Sequence, residues 1–340
     1  MKEIMLQNQT LPMNKSRVQW VDTAKALAII FVVMGHMGYS EEVRTLIYGF
    51  HMPLFFMLSG MFVSTKDNFH QFLLKKMKTL LVPYLCFNVI FLLFDCVIAL
   101  VSNHDVSIIK PMVGIMGGVR FGYECLGKFW FLPCLFFADL LMYGVLKLHN
   151  VCKIVTLIIL FTFWGIVYDF TFTSVLPYSI DMALISLSFL FIGKMYFAKF
   201  KAGLSTIWIV LLLVIYLIFT YLNYSYMGGR RVDMYESELG NYAYFYTAAI
   251  TGSLAIIALT QKVKSNKLLQ FLGRNTLVIY GLHMIVGVIL SYAVAFLFAG
   301  SFTEFQTCMV ATLKTVVTLI LMIPSCLIVN RYFPWMLGKW

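Results

Sequence analysis

Charged residues are scarce in this sequence. Of its 340 residues, 12% are Asp, Glu, Lys or Arg, whereas 61% are hydrophobic. A soluble domain carries about a quarter of its residues as charges, which keep its surface hydrated. The low charge content therefore excludes a large soluble globule and favours a chain whose surroundings are mostly lipid.

Cysteine pairs and long polar stretches are also missing. The cysteines form no CxxC pair and no metal-ligand spacing with histidine; they are Cys86, Cys96, Cys125, Cys134, Cys152, Cys308 and Cys326. Most lie within apolar runs, where cysteine acts as a small hydrophobic residue. We therefore expect neither a disulfide framework nor a metal site. The longest polar stretches, near 102–127 and 225–242, are too short to hold a separate core, so a single transmembrane domain over residues 1–340 is expected.

Long apolar runs recur along the whole chain. Each has about 20 residues, enough to cross a hydrocarbon layer about 30 Å thick. They predict an all-α, polytopic integral membrane protein with a ten-helix bundle over residues 22–330. The predicted spans are 22–40, 45–64, 79–101, 128–148, 152–170, 179–198, 204–224, 243–260, 275–298 and 307–330. The first run follows a polar segment and lacks a cleavage motif, so a retained helix is predicted there, not a removed signal peptide.

The positions of the basic residues indicate an orientation. The net charge is +11, and most lysines and arginines fall in the connecting segments on the same side as the N-terminus. The positive-inside rule then places the N-terminal segment 1–21 and the C-terminal tail 331–340 in the cytoplasm. The charge is thus explained by topology, and no nucleic-acid partner is expected. The predicted location is the cytoplasmic (inner) cell membrane, with the lipid bilayer as partner.

Ionisable residues within predicted spans are functional candidates, because charges are costly there. The first span, VDTAKALAIIFVVMGHMG, contains Asp22, Lys25 and His36. Lys25 and His36 are 11 residues apart, so a continuous helix would place them on nearly one face, about 16 Å apart along its axis. His51, in the second span, lies at about the depth of His36. The two histidines are predicted to face one cavity, although a local hydrogen bond in a helix bundle would also explain each of them.

A lysine cluster precedes the third predicted span. The segment QFLLKKMKTLLVPY places Lys75, Lys76 and Lys78 at the predicted cytoplasmic edge. Such a cluster can be a topological anchor that meets anionic lipid head groups, or it can bind a phosphate-bearing cytosolic cofactor. The sequence leaves both interpretations open.

Several of these segments together resemble a known family. The D-x2-K-x10-H spacing of Asp22, Lys25 and His36 resembles the signature of acyltransferase family 3. The segments FHMPLFFMLSG, K-x2-K before Pro-Tyr, FWFLPCLFF at 129–137 and LGRNTLVIYGLH at 272–283 are similar to the branch of small membrane O-acetyltransferases that includes fucose 4-O-acetylase-like proteins. Many members have arginine where this chain has lysine at positions 25, 75 and 78. No esterase-like domain, which some relatives carry, is expected after the tenth helix.

The resemblance implies an O-acyltransferase that moves an acyl group, usually acetyl, from cytosolic acyl-CoA to a hydroxyl of an envelope carbohydrate or lipid-linked glycan. It implies a histidine base, and the catalytic candidates are His36, His51, Lys25 and Asp22. The candidates for binding acetyl-CoA or another short acyl-CoA are Lys75, Lys76, Lys78 and Lys25. Direct transfer and an acyl-histidine intermediate remain alternatives, as do acetyl and succinyl groups.

Substrate-binding candidates lie in the ninth span and in the predicted outer loops. They are His283, Glu124, Arg230 and Arg231. Asp95 and Asp139, within spans, are expected to orient a histidine or to pair with Lys314. The acceptor sugar and the formation of a homo-oligomer are left open by the sequence.

A transporter or flippase of a polysaccharide precursor or acyl group is the alternative function. In that case the histidines and Lys25 would gate protons or substrate. Many such proteins have inverted repeats with broken helices, and this sequence shows no internal repeat. The basic cluster and the histidines therefore favour the enzyme.

Overall fold

The computed structural model describes residues 18–102, 108–118, 120, 127–172, 175–199, 203–298 and 302–339. Within these ranges the chain is helical and has no strand, apart from an isolated bridge between Asp233 and Glu238. The helices are α1 (Gln19–Gly35), α2 (Glu41–Tyr48), α3 (His51–Gly60), α4 (Phe69–Lys76), α5 (Val82–Val101), α6 (Ile109–Gly117), α7 (Phe131–Leu146), α8 (Val151–Thr171), α9 (Ile180–Lys199), α10 (Thr206–Tyr226), α11 (Tyr242–Lys262), α12 (Lys267–Arg274), α13 (Thr276–Leu297) and α14 (Glu304–Tyr332).

Seven described helical segments are long and apolar enough to cross a membrane, and they confirm an all-α polytopic membrane protein. They are Phe69–Val101, Val151–Thr171, Pro177–Lys199, Thr206–Tyr226, Tyr242–Lys262, Thr276–Leu297 and Glu304–Tyr332. The other predicted spans correspond to shorter helices, because α1 has 17 residues, α7 has 16, and the second span is divided between α2 and α3. The number of ten crossings and the orientation of the termini stay predictions.

The second predicted span, 45–64, is wrong as a single helix. It is interrupted by a short turn between α2 and α3. Pro53, in the first turn of α3, has no N–H to donate to the carbonyl of Gly49, so a continuous helix would lose a hydrogen bond there. The hydroxyl of Tyr216, on α10, donates to the carbonyl of Leu46 and so provides a partner for a carbonyl near the end of α2.

The first helix also ends earlier than the predicted residue 40. α1 ends at Gly35, and His36 is its C-cap, whose N–H donates to the carbonyl of Val33. Gly38 has a φ of +88°, a backbone conformation that glycine adopts without steric cost. The chain therefore turns directly after His36. The helical geometry that predicts Lys25 and His36 on one face applies only up to Gly35, where α1 ends.

The lysine-rich segment before the third predicted span is itself helical. α4 begins with a capping box, in which the side chains of Asn68 and Gln71 each accept a hydrogen bond from the other's backbone N–H. A π-helical turn, Met77–Leu81, joins α4 to α5. Pro83 donates no backbone hydrogen bond, which removes one α-helical bond just where the helix widens. The three lysines thus lie on the helix and do not precede it.

The described residues form two compact units. We call residues 59–198 with 330–339 the lysine unit, because it contains the lysine cluster of α4 and the π-helical turn. We call residues 18–58 with 199–329 the histidine unit, because it contains the candidate histidines. The prediction of a single domain stays a prediction.

In each unit, a glycine lets two backbones touch. In the lysine unit, a Cβ added to Gly60 would lie 2.0 Å from the carbonyl oxygen of Leu190. In the histidine unit, a Cβ added to Gly273 would lie 1.8 Å from the carbonyl oxygen of Asp22. Any larger residue would push these helices apart, so the two glycines fix close packing at the end of α3 and between α12 and α1.

Candidate functional site

His36 lines a cavity of about 350 Å³ in the histidine unit. Its side chain is exposed at the end of α1. The other lining residues lie on α13 and are Met284, Gly287, Val288, Ser291, Tyr292 and Ala295. The polar groups of this lining are the imidazole of His36 and the two hydroxyls of Ser291 and Tyr292. A mostly apolar cavity with a few polar groups is typical of a small-molecule site.

His283, on α13, contacts His36. The two ring centroids are 5.3 Å apart and the ring planes are tilted by 48°. The buried His283 has its Nδ1 within 3.0 Å of the carbonyl oxygen of Ile279 and 2.9 Å of that of Tyr280. Because a carbonyl only accepts, Nδ1 carries the hydrogen, and Nε2 bears the lone pair of the neutral ring. That Nε2 is buried and has no hydrogen-bond partner among the described residues, so it can act on a neighbouring group.

His51, the first residue of α3, is buried with an exposed fraction of 5%. Its Nδ1 lies 2.9 Å from the carbonyl oxygen of Ile47, which fixes the same tautomer as in His283. Its ring packs edge-on against Tyr48, with 4.9 Å between the centroids. His51 is not one of the described residues that line the cavity beside His36. The cavity predicted to be shared by His36 and His51 stays a prediction.

Arg231, in the segment between α10 and α11, holds a charged network together. Its Nη1 donates to both carboxylate oxygens of Glu41, at 2.9 and 3.0 Å, and its Nη2 donates to Asp233 at 3.1 Å. The guanidinium also covers the ring of Tyr48, 4.6 Å from the centroid. Burial raises the pKa of the Asp233 carboxyl, and the charge of Arg231 offsets only part of this effect. Arg231 is thus connected through Tyr48 to His51.

The other two loop candidates are less informative. Arg230 is exposed and donates to Glu238 at 2.6 Å, a surface ion pair that adds little stability. Glu124 lies outside the described residues. Arg231 is therefore the described loop candidate that the structure connects to the histidines.

Asp22 is a buried carboxylate that helps to hold α12 on α1. Its exposed fraction is 3%, and the Nε of Arg274 lies 3.3 Å from its Oδ2. The neighbouring Thr23 adds a hydrogen bond to Ser265 at 2.8 Å. Lys25 is half-buried one turn further along α1. This geometry gives Asp22 a structural task, and its predicted catalytic role stays a prediction.

In the lysine unit, Lys76 is committed to a buried partner. Its Nζ lies 2.6 Å from Oδ2 of Asp139, whose side chain is fully buried. The Oγ of Ser59 donates to the other oxygen of Asp139 at 3.4 Å. The expectation that Asp139 orients a histidine or pairs with Lys314 is therefore wrong, because tertiary packing brings α4 and α7 together and supplies Lys76.

Lys75 and Lys78 remain exposed. Lys75 lies 3.8 Å from Asp67, at an exposed pair. An exposed ion pair at this distance is screened by water, so another anion can easily replace Asp67 beside Lys75. Of the three lysines in this cluster, Lys75 can therefore meet a phosphate without breaking a buried ion pair, and Lys78 is also exposed.

The sequence gives little indication of the buried pair between Arg120 and Asp181 in the lysine unit. Asp181 lies in the first turn of α9, where the helix dipole favours a carboxylate. An aspartate at the start of an apolar run is the available signal. Its partner is 61 residues away, and no spacing pattern points to it.

A family model described as an acyltransferase domain matches residues 18–331, which is nearly the whole chain. The match includes every described candidate of both units. No curated protein and no solved structure matches the chain. The resemblance seen in the motifs is thus confirmed at the level of the family, and the fucose 4-O-acetylase-like branch stays a prediction.

Proposed function

We propose that the chain, which belongs to the acyltransferase family, is a membrane O-acyltransferase with His36 as its catalytic base. The proposed donor is a short acyl-CoA, with acetyl-CoA as the first to test. The proposed acceptor is a hydroxyl of an envelope carbohydrate or lipid-linked glycan at the cytoplasmic membrane. The observation that carries the proposal is the position of His36, which lines a cavity and contacts a second histidine.

The proposed reaction needs one proton acceptor beside the thioester. A ring nitrogen of neutral His36 accepts the proton of the acceptor hydroxyl as the oxygen attacks the thioester carbonyl. The tetrahedral intermediate then loses the C–S bond, which yields the ester and the CoA thiolate, and the thiolate takes the proton from His36. Histidine suits this step because its ordinary pKa lies near neutrality. In an acyl-histidine route, the same nitrogen would attack the thioester first.

We assign the phosphates of the donor to Lys75 and Lys78. Both are exposed cations on the segment that runs from α4 into the π-helical turn. Lysine binds phosphate as a point charge, and the exposed contact of Lys75 with Asp67 is weak enough to be replaced. Lys76 is not included, because its charge is neutralised by Asp139.

A carbohydrate acceptor is supported by the motifs and by the cavity beside His36. Tyr292 contributes an aromatic ring and a hydroxyl to its lining, and Ser291 contributes a second hydroxyl. Sugars are bound by aromatic surfaces together with a few oriented polar groups, as in small-molecule sites generally. The match of residues 18–331 to the acyltransferase family favours this enzyme over a transporter.

The test is acyl transfer by purified protein in lipid nanodiscs, with wild type, His36→Ala and His36→Gln. We expect either variant to lower kcat by about 100-fold or more, the usual contribution of a general base. Its unfolding temperature should not change, because His36 is exposed at a helix end. His70→Ala, at an exposed histidine of α4, is the control and should retain activity. Full transfer by His36→Ala would remove His36 from the mechanism.

A further inference from the structure

Lys314 is a charged residue that the proposed reaction does not use. It lies in α14, which is long and apolar enough to cross a membrane. Its side chain is half-buried. A charge in such a helix is costly, and it is usually found where it meets a substrate, an ion or an opposite charge. The surroundings of the ammonium group therefore indicate its task.

The Lys314 ammonium is held by a neutral group. Its Nζ donates to Oγ of Ser291 at 2.8 Å, and a Cβ added to Gly38 would lie 3.9 Å from Nζ. The Ser291 hydroxyl gives its own hydrogen to the carbonyl of Gly287, at 2.7 Å, so its oxygen is the acceptor for Lys314. An ammonium has three donors. Within the described part of the chain, this one makes no second hydrogen bond and no ion pair.

The described arginines of the histidine unit differ from Lys314, because all of them have carboxylate partners. The pairs are Arg44–Glu41, Arg231–Glu41, Arg230–Glu238 and Arg274–Asp22. Lys314 is thus a cation whose charge the described residues do not neutralise, although it lies in a helix apolar enough to cross a membrane.

We propose that Lys314 and Ser291 form an anion subsite of the cavity beside His36, which binds a carboxylate or phosphate group of a substrate. Ser291 lines the cavity that His36 also lines, and its hydroxyl holds the ammonium at that wall. An oxyanion there would supply the missing negative partner, because lysine binds a phosphate or carboxylate through opposite charge.

The inference rests on the proposed acyl transfer and narrows its substrates, because the oxyanion belongs either to the acceptor or to the acyl group. A uronic acid or a sugar phosphate would carry it on the acceptor. A dicarboxylic acyl group such as succinyl would carry it on the donor. Both would place a negative charge near His36 without using its ring nitrogens.

The experiment compares wild type, Lys314→Met and Lys262→Met in nanodiscs. Acetyl-CoA is supplied with methyl β-glucoside, methyl β-glucuronide or glucose 1-phosphate, and succinyl-CoA is supplied with methyl β-glucoside. We expect Lys314→Met to raise KM for the anionic substrate by about tenfold or more, with little change for the neutral pair. Lys262 is the matched control, because it also donates to a hydroxyl, that of Thr206 at 3.4 Å, but at an exposed helix end. Its replacement should leave every KM unchanged.

The different substrate pairs show whether the acceptor or the acyl group carries the anion. A wild-type preference for the glucuronide or the phosphate places the anion on the acceptor, and a preference for succinyl-CoA places it on the acyl group. Equal kinetics of wild type and Lys314→Met with every pair would overturn the subsite and leave the acyltransferase proposal intact.

A binding measurement covers the case in which no sugar is acylated, a result that would contradict the carbohydrate acceptor. His36→Ala protein is then titrated with methyl β-glucuronide, glucose 1-phosphate and succinate by saturation-transfer NMR. Binding that is lost in the His36→Ala, Lys314→Met double variant supports the subsite. Absence of binding, or binding that the second substitution does not weaken, overturns it.

Discussion

Two clusters of charged and polar groups, one in each unit, are bonded in opposite ways. In the lysine unit, both oxygens of the buried Asp139 are bonded, one to Lys76 and one to Ser59. In the histidine unit, the buried Nε2 of His283 has no described partner, and Lys314 is held by a neutral hydroxyl. Opening a buried ion pair for a ligand is costly, whereas an unsatisfied buried group in a native protein requires an explanation. We therefore interpret Lys76 and Asp139 as part of the scaffold and propose that the groups beside His36 bind a ligand.

The largest effect that tests this comparison is expected from Lys76→Met. The substitution leaves the fully buried Asp139 without its cation. Removal of one partner of a buried pair costs about 3–5 kcal/mol, and we expect about 3 kcal/mol because Lys76 is partly exposed. Denaturant unfolding in detergent micelles measures the loss, and Lys76→Met with Asp139→Asn should recover most of it.

Lys75→Met is the control for this prediction. Lys75 is the neighbouring residue, but its contact with Asp67 is exposed and 3.8 Å long. Its replacement should change the free energy of unfolding by less than about 0.5 kcal/mol. If Lys76→Met left stability unchanged and instead weakened acyl-CoA binding, the comparison would break, and Lys76 would return to the donor site.

The second effect concerns His283. His283→Leu removes the imidazole that contacts His36, so we expect kcat to fall by about tenfold to thirtyfold, less than the loss of a general base itself. The free energy of unfolding should change little, because the substitution also removes a buried nitrogen without a partner. If His283 positions the base, the pH dependence of kcat will shift as well.

His51→Leu is the matched comparison for His283. Both histidines are buried, and both donate from Nδ1 to the carbonyl one turn before. His51 contacts Tyr48, whereas His283 contacts His36. Equal kcat values and equal pH profiles in wild type and His283→Leu would show that His283 contributes only to packing.

The fold could be predicted from sequence wherever one local property decides the structure. Apolar runs longer than about 18 residues predict spans, and the long helices from α8 to α11 lie close to the predicted ranges. Prediction failed where a helix breaks within a run. The second span is divided between α2 and α3 close to Pro53, and a count of apolar residues does not show where such a break falls.

The candidate site could be predicted only in part, for a related reason. His36 and the lysine cluster are visible as polar residues in or beside apolar runs. The partner of each is set by tertiary packing, and the sequence offers several carboxylates for each cation. Asp139 illustrates this, because Lys314 is as plausible a partner from sequence as Lys76, which α4 brings within 2.6 Å. Likewise, no pattern shows that the carboxylate of Asp22 pairs with Arg274.

The smallest expected effect comes from Lys75 and Lys78. Both are exposed, whereas Lys76 pairs with a buried carboxylate. Lys75→Ala with Lys78→Ala should raise KM for acyl-CoA by about fivefold, from two exposed charge contacts of about 0.5 kcal/mol each. The variant should unfold at the same temperature as wild type. Lys66→Ala, at another exposed lysine of the same unit, should have no effect on KM.

The dependence of this effect on salt identifies its cause. Exposed charges are screened at high ionic strength, so KM of wild type should approach that of the double variant as salt rises. The instability of Lys76→Met should persist in the same salt, because the ion pair with Asp139 is buried. A KM difference that salt does not reduce would mean that Lys75 and Lys78 act through the structure of the π-helical turn. A KM that is equal in wild type and the double variant would return both lysines to the role of a membrane anchor.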